Sequence, residues 1–178
     1  MSATSVETTS NPGTIRLVLG RLLVGAYLCD VTYSAGFRVE TTRDRKHASP
    51  GSPLVVRITL RSDWRIGDAE SWADLLAGSP WEDMGSGENY DPMRAYALVW
   101  LSGAQINAVH LTDQGSLTLE TSAGRDLWLS GSDAVFEESW IVSVPPGVPG
   151  QNDWSVVCSD RGELWCRFPV GALNQERG

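Results

Sequence analysis

Short runs in which every second residue is apolar, cut apart by glycine-bearing turns, recur along this chain and confine it to a mainly β architecture. The clearest spans Leu54 to Leu60, with Leu54, Val56, Ile58 and Leu60 on one face and Arg57 and Thr59 on the other. Phe37, Val39 and Thr41 oppose Arg38 and Glu40 in the same way, and a turn at Ser34-Ala35-Gly36 separates this run from Leu23 to Val31. The strand-like pattern is read from Ile15 onward. Gln105 to Thr112, Ser116 to Thr121, Asp126 to Leu129 and Phe136 to Val144 continue it, joined by short Gly-containing turns. Trp154 to Cys158 and Glu163 to Phe168 form a closing hairpin around Asp160-Arg161-Gly162.

Helical signals interrupt the strands in the middle of the chain. Asp68 is a side-chain cap for Ala69 to Ala77, which Gly78 terminates. Asp91 and Pro92 open a second helix that Gly103 closes, with Met93, Tyr96, Ala97, Trp100 and Leu101 spaced along one helical face as core packing.

The two halves resemble one another. Gly25-Ala26-Tyr27-Leu28-Cys29-Asp30-Val31 aligns with Gly103-Ala104-Gln105-Ile106-Asn107-Ala108-Val109, 78 positions later. Phe37-Arg38-Val39-Glu40-Thr41 aligns with Leu117-Thr118-Leu119-Glu120-Thr121, 80 positions later, and the slip falls in a turn, where insertion is tolerated. Two similar antiparallel meanders, over 22–62 and 100–144, are therefore expected to form a sheet or sandwich, joined by one or two short helices. Residues 1–13 lack apolar periodicity and read as a disordered tail; 14–173 form one β-rich domain, and 174–178 a frayed end.

The second half carries Asp91-Pro92, a helix reaching Leu101-Ser102-Gly103, then Gly115-Ser116-Leu117-Thr118-Leu119, Gly124-Arg125-Asp126-Leu127, Phe136-Glu137-Glu138-Ser139-Trp140 and Gly162-Glu163-Leu164. In this order the chain, from about Leu19, resembles the bacterial family of domains of unknown function numbered 6188. It departs from that family in Phe136 for a tyrosine, in one extra residue before Trp140, and in a longer connector over 64–90. The resemblance implies a small β-rich domain and no established activity.

Chemistry-bearing constellations are sparse. Cys29, Cys158 and Cys166 form no C-x-x-C pair, and with only two histidines they provide neither a zinc site nor a disulfide framework. They read as free thiols of a reducing compartment, and without an export signal the expected location is cytoplasmic. The first apolar run, Ile15 to Leu28, is broken by Arg16 and Arg21 and too short to cross a membrane. His110 with Asp113, and Glu137 with Glu138, are the acid–base candidates; adjacent strand residues point to opposite faces, so the glutamates do not form a paired-carboxylate site. No nucleophile elbow or phosphate-binding loop is present. No catalytic residue, metal or cofactor is assigned, and the chain reads as non-enzymatic.

Charge is unevenly placed. Of a net −8, the segment from Asp63 to Asp91 carries −7: eight acids against Arg65 alone. The net −8 argues against a nucleic-acid backbone as the main partner. The segment reads as an acidic helical insertion over 63–91, with Trp64, Trp72 and Trp81 as aromatic anchors and Glu82, Asp83 and Glu88 as steering charges. The expected function is a protein-binding domain, an inhibitor or immunity-type partner of a basic protein. The competing expectation is a small-molecule site or enzyme in a sheet cavity lined by Trp128, Trp140 or Trp165 and containing His110 or Glu138. A third is oligomerisation through an exposed strand.

Overall fold

The computed structural model describes residues 5–33, 36–48, 51–77, 92–146 and 153–174. Strand β1 (Val6–Thr9) leads into helix α1 (Pro12–Leu23) and strands β2 (Tyr27–Tyr33), β3 (Phe37–Thr42), β4 (Val55–Leu60) and β5 (Trp64–Ile66). Helices α2 (Ala69–Ala77) and α3 (Pro92–Trp100) follow. The chain then forms β6 (Ile106–Leu111), β7 (Leu117–Thr121), β8 (Leu127–Leu129), β9 (Glu138–Ser143), β10 (Ser155–Ser159) and β11 (Leu164–Pro169). The fold is mainly β. A seven-stranded antiparallel sheet runs β1-β11-β10-β9-β4-β3-β2, and a four-stranded one runs β5-β8-β7-β6. Apolar residues of both sheets and of α1 meet in one core. Among the described residues no helix is long and apolar enough to cross a membrane.

The N-terminal region differs from the sequence expectation. From residue 5 the expected tail is ordered: β1 pairs with β11, setting Val6 opposite Pro169 and Thr9 opposite Cys166. Where a strand-like run was expected from Ile15, the chain is helical. Asn11 caps that helix by accepting a hydrogen bond from the Thr14 amide at 3.0 Å, and Pro12 occupies its first turn. Ile15, Val18, Leu19, Leu22 and Leu23 recur at helical spacing and are fully buried, so packing of that stripe against the sheets decides the conformation. Residues 1–4 and 175–178 lie outside the described residues, and Ala172–Asn174 form a short 3₁₀ turn.

The two meanders correspond in register as well as in sequence. In β2–β3, Leu28 faces Thr41, Val31 faces Val39 and Tyr33 faces Phe37. In β6–β7 the aligned pairs are Ile106 with Thr121, Val109 with Leu119 and Leu111 with Leu117. Each first strand carries its register irregularity at the same place, after Leu28 and after Ile106. Phe37 and Val39 face Leu60 and Ile58 of β4, as Leu117 and Leu119 face Leu129 and Leu127 of β8. Even a side-chain bond repeats: the Thr41 hydroxyl donates to the Val56 carbonyl at 3.2 Å, and the Thr121 hydroxyl to the Arg125 carbonyl at 2.6 Å.

The fourth strand of each half is exchanged. β5 follows β4 in sequence but pairs with β8, putting Trp64 opposite Leu129; β9 follows β8 but pairs with β4, putting Trp140 opposite Leu60. Trp64 and Trp140 are thus counterparts. The halves also join through a reciprocal set of backbone bonds. The Leu28 amide donates to the Ala104 carbonyl (2.9 Å) and the Ile106 amide to that of Ala26 (2.8 Å). The Gly103 amide donates to Leu28 (2.7 Å) and that of Gly25 to Ile106 (2.8 Å), around a bridge between Tyr27 and Gln105. Each bond becomes its partner when the halves are interchanged, so a local pseudo-two-fold axis passes through this bridge. Gly25 and Gly103 leave their helices at φ 82° and 84°, a conformation that glycine adopts without steric penalty.

Candidate protein-binding surface

The acidic segment begins at β5 and continues into α2. Trp64 and Trp72, expected as partner anchors, are instead core residues, only 2% and 7% exposed. Trp64 occupies the place that Trp140 occupies in the other half, and its ring meets Phe37 edge-on at 5.4 Å and Trp72 at 5.3 Å. The exchange of β5 turns that ring inward. Trp81, Glu82, Asp83 and Glu88 lie outside the described residues.

The described acids Asp63, Asp68, Glu70 and Asp74 are exposed. Asp68 caps α2 as expected, accepting hydrogen bonds from the Ser71 amide and hydroxyl, both at 2.8 Å. The Ser71 amide, followed by its hydroxyl, holds the Asp68 carboxyl below its ordinary pKa, so it is charged at neutral pH. Arg94 on α3 reaches Asp63 at 3.6 Å and lies over the Trp64 ring, tying α3 to β5.

Helix α3 presents aromatic surface that the helical stripe did not anticipate. Ala97, Leu98 and Leu101 are buried, whereas Tyr96, Val99 and Trp100 are 53%, 53% and 47% exposed. Tyr96 and Trp100 were expected in the core. The buried face is rotated toward Leu98 because α3 packs on β2 and α2. The two rings meet at 4.9 Å and 61°, and the Arg125 guanidinium stands 5.5 Å from the Trp100 ring. Helix α3 thus exposes an aromatic pair, and α2, which carries exposed acids, packs against α3. Tyr96 and Trp100 have no local signal marking them as exposed; only their counterparts in α1, Val18 and Leu22, show what closing such a face requires.

The other candidates do not assemble a reaction centre. His110 Nε2 lies 2.6 Å from Glu120 with both side chains largely exposed, and Asp113 pairs instead with Arg16 at 2.8 Å. Glu138 is held by Arg61 in an ion pair. Trp140 is fully buried, its indole N–H donating to the Gly115 carbonyl at 2.9 Å. Trp165 follows Leu164, the residue in register with Cys158 and, through it, with Trp140, so Trp165 lies on the opposite face of the sheet. Trp128 is covered by the Arg65 guanidinium at 3.9 Å. These three tryptophans do not line one cavity. All three cysteines are free thiols, and Cys158 and Cys166 are not cross-strand neighbours. Among the described residues no group of His, Cys, Asp and Glu is placed to hold a metal ion. No family model matches the chain, and no curated protein or solved structure matches it.

Proposed function

We propose that this chain is a non-enzymatic protein-binding domain, an inhibitor or immunity-type partner of a basic protein. The observations that carry the reading are the exposed acids Asp63, Asp68, Glu70 and Asp74 on α2 and its approach, and the exposed aromatic pair of α3, the helix against which α2 packs. Clustered acids raise the encounter rate with a basic surface, and rigid aromatic rings supply contact area at little entropic cost. The free thiols suit a reducing compartment, and the cytoplasm is the proposed location.

The test is affinity capture from the source cell, comparing the wild-type chain with a variant carrying Glu70→Lys, Asp74→Lys, Glu82→Lys and Asp83→Lys. The expected result is a basic protein retained by the wild type, released by moderate salt and lost from the variant. Retention of the same proteins by both chains, or retention of acidic ones, would count against the reading.

A further inference from the structure

We infer that the exposed face of α3 is a docking site for a β-hairpin presented by that basic partner, an inference that rests on the protein-binding reading. The argument comes from the pseudo-two-fold relation between the halves. At the 78-residue spacing, Ile15, Val18, Leu19, Leu22 and Leu23 of α1 correspond to Met93, Tyr96, Ala97, Trp100 and Leu101 of α3. Helix α1 packs on β6 and α3 packs on β2, the two counterpart strands. Helix α1 is packed in addition by β10 and β11, the hairpin that extends the large sheet beyond β9, and its Val18 and Leu22 are fully buried.

In the other half the counterpart of β9 is β5, and among the described residues β5 ends its sheet. Helix α2 follows β5 and packs against both β5 and α3, yet Tyr96 and Trp100, the counterparts of Val18 and Leu22, remain about half exposed. Among the described residues one frame therefore occurs twice, with a closing hairpin in one copy and none in the other. The closing hairpin turns Val156, Cys158, Cys166 and Phe168 inward, which sets the chemistry required of an occupant: two strands with an apolar inner face. Arg125 stands against the Trp100 ring and Arg94 pairs with Asp63. The acids Asp68, Glu70 and Asp74 of α2 and its cap, unpaired among the described residues and on the helix packed against α3, therefore select basic residues on the α2 side of the occupant.

The probe is a backbone-cyclised peptide of residues 153–168 carrying Cys158→Val, Cys166→Val, Asp153→Lys and Glu163→Lys, titrated into the full chain labelled with 5-fluorotryptophan. The Trp100 resonance is assigned by its loss in Trp100→Phe. We expect the peptide to move that resonance and Trp100→Ala to weaken binding by at least about tenfold. Tyr96→Lys, on the same exposed face, gives a second variant, and the thermal unfolding of each is checked. Equal shifts with a scrambled linear peptide of the same composition would overturn the hairpin inference while leaving the charge-based reading standing. Binding that leaves Trp100 unmoved, no binding, or a Trp100 resonance shielded from a soluble paramagnetic agent in the free chain would each overturn it. The protein-binding reading is then judged separately by the charge-reversal capture.

Discussion

Glycines 115, 131 and 162 bring three backbone segments closer than any side chain would permit. A Cβ on Gly131 would stand 2.1 Å from the Gln114 carbonyl oxygen, one on Gly162 2.6 Å from the same atom, and one on Gly115 2.6 Å from Cys158 Sγ. The Trp140 indole N–H donates to the Gly115 carbonyl in this knot, and the Cys158 thiol lies within reach of the Gly131, Ser159 and Gly115 carbonyls. Gly131→Ala is expected to cost about 1–3 kcal/mol, because the obstructing atom is backbone and cannot rotate away. Gly20→Ala is the opposite case: it lies within α1 with open space around the new methyl, and a gain of up to about 1 kcal/mol is expected. Urea midpoints of the two variants should move in opposite directions; a neutral Gly131→Ala would show that the knot relaxes. Burial pushes the Cys158 thiol up to about 12 and the Cys166 thiol to about 11, from 9.0. The unfolded chain therefore loses these protons first, and stability should fall as pH rises from 9.0 toward 11 and 12. In the native chain at neutral pH, Cys29 should be the first thiol to react with dithiobis-nitrobenzoate, with Cys158 and Cys166 reacting only after denaturant is added. Prompt native labelling of Cys158 would contradict its burial.

Elements show which parts of the sequence report on structure and which do not. The strands after Gly36 are legible because each is a half-buried surface whose alternation is local: Phe37, Val39 and Thr41, and Val56, Ile58 and Leu60, are buried as the period of two requires. Helix α1 is harder to read. Its stripe runs from Ile15 into Leu22 and Leu23, directly before the alternating run of β2, so two periods overlap at their junction. The decisive local signal is Asn11-Pro12, a cap followed by a first-turn proline, in a stretch otherwise poor in apolar residues. Asn11→Ala should therefore destabilise the chain by about 1 kcal/mol, measured by chemical denaturation. Asn11→Asp should retain most of the stability, and an unchanged alanine variant would remove the cap from the account. Of the proposed binding surface, only the charge is legible in the sequence. The acids of 63–91 are visible in sequence, but ring orientation depends on strand exchange: β5 pairs with β8, more than 60 residues away, and this pairing buries Trp64. No periodicity within three residues carries that information.

At the scale of the molecule, the exchange of β5 and β9 makes each half dependent on the other. The β2–β3–β4 meander needs β9 to complete its sheet, the β6–β7–β8 meander needs β5, and α1 needs β6, β10 and β11 to bury its stripe. A half in isolation would expose these apolar faces and leave strand edges unpaired. Divided between Ser86 and Gly87, the chain should yield fragments 1–86 and 87–178 that fail to fold separately and reassemble when mixed. The comparison is between each fragment, their equimolar mixture and the intact chain, by near-ultraviolet circular dichroism and size exclusion. The thermal midpoint of the mixture should rise with concentration because folding is coupled to association, whereas that of the intact chain should not. Cooperative unfolding of either fragment alone would show that a half carries a complete core, and the exchanged strands would then be ornament on two independent units.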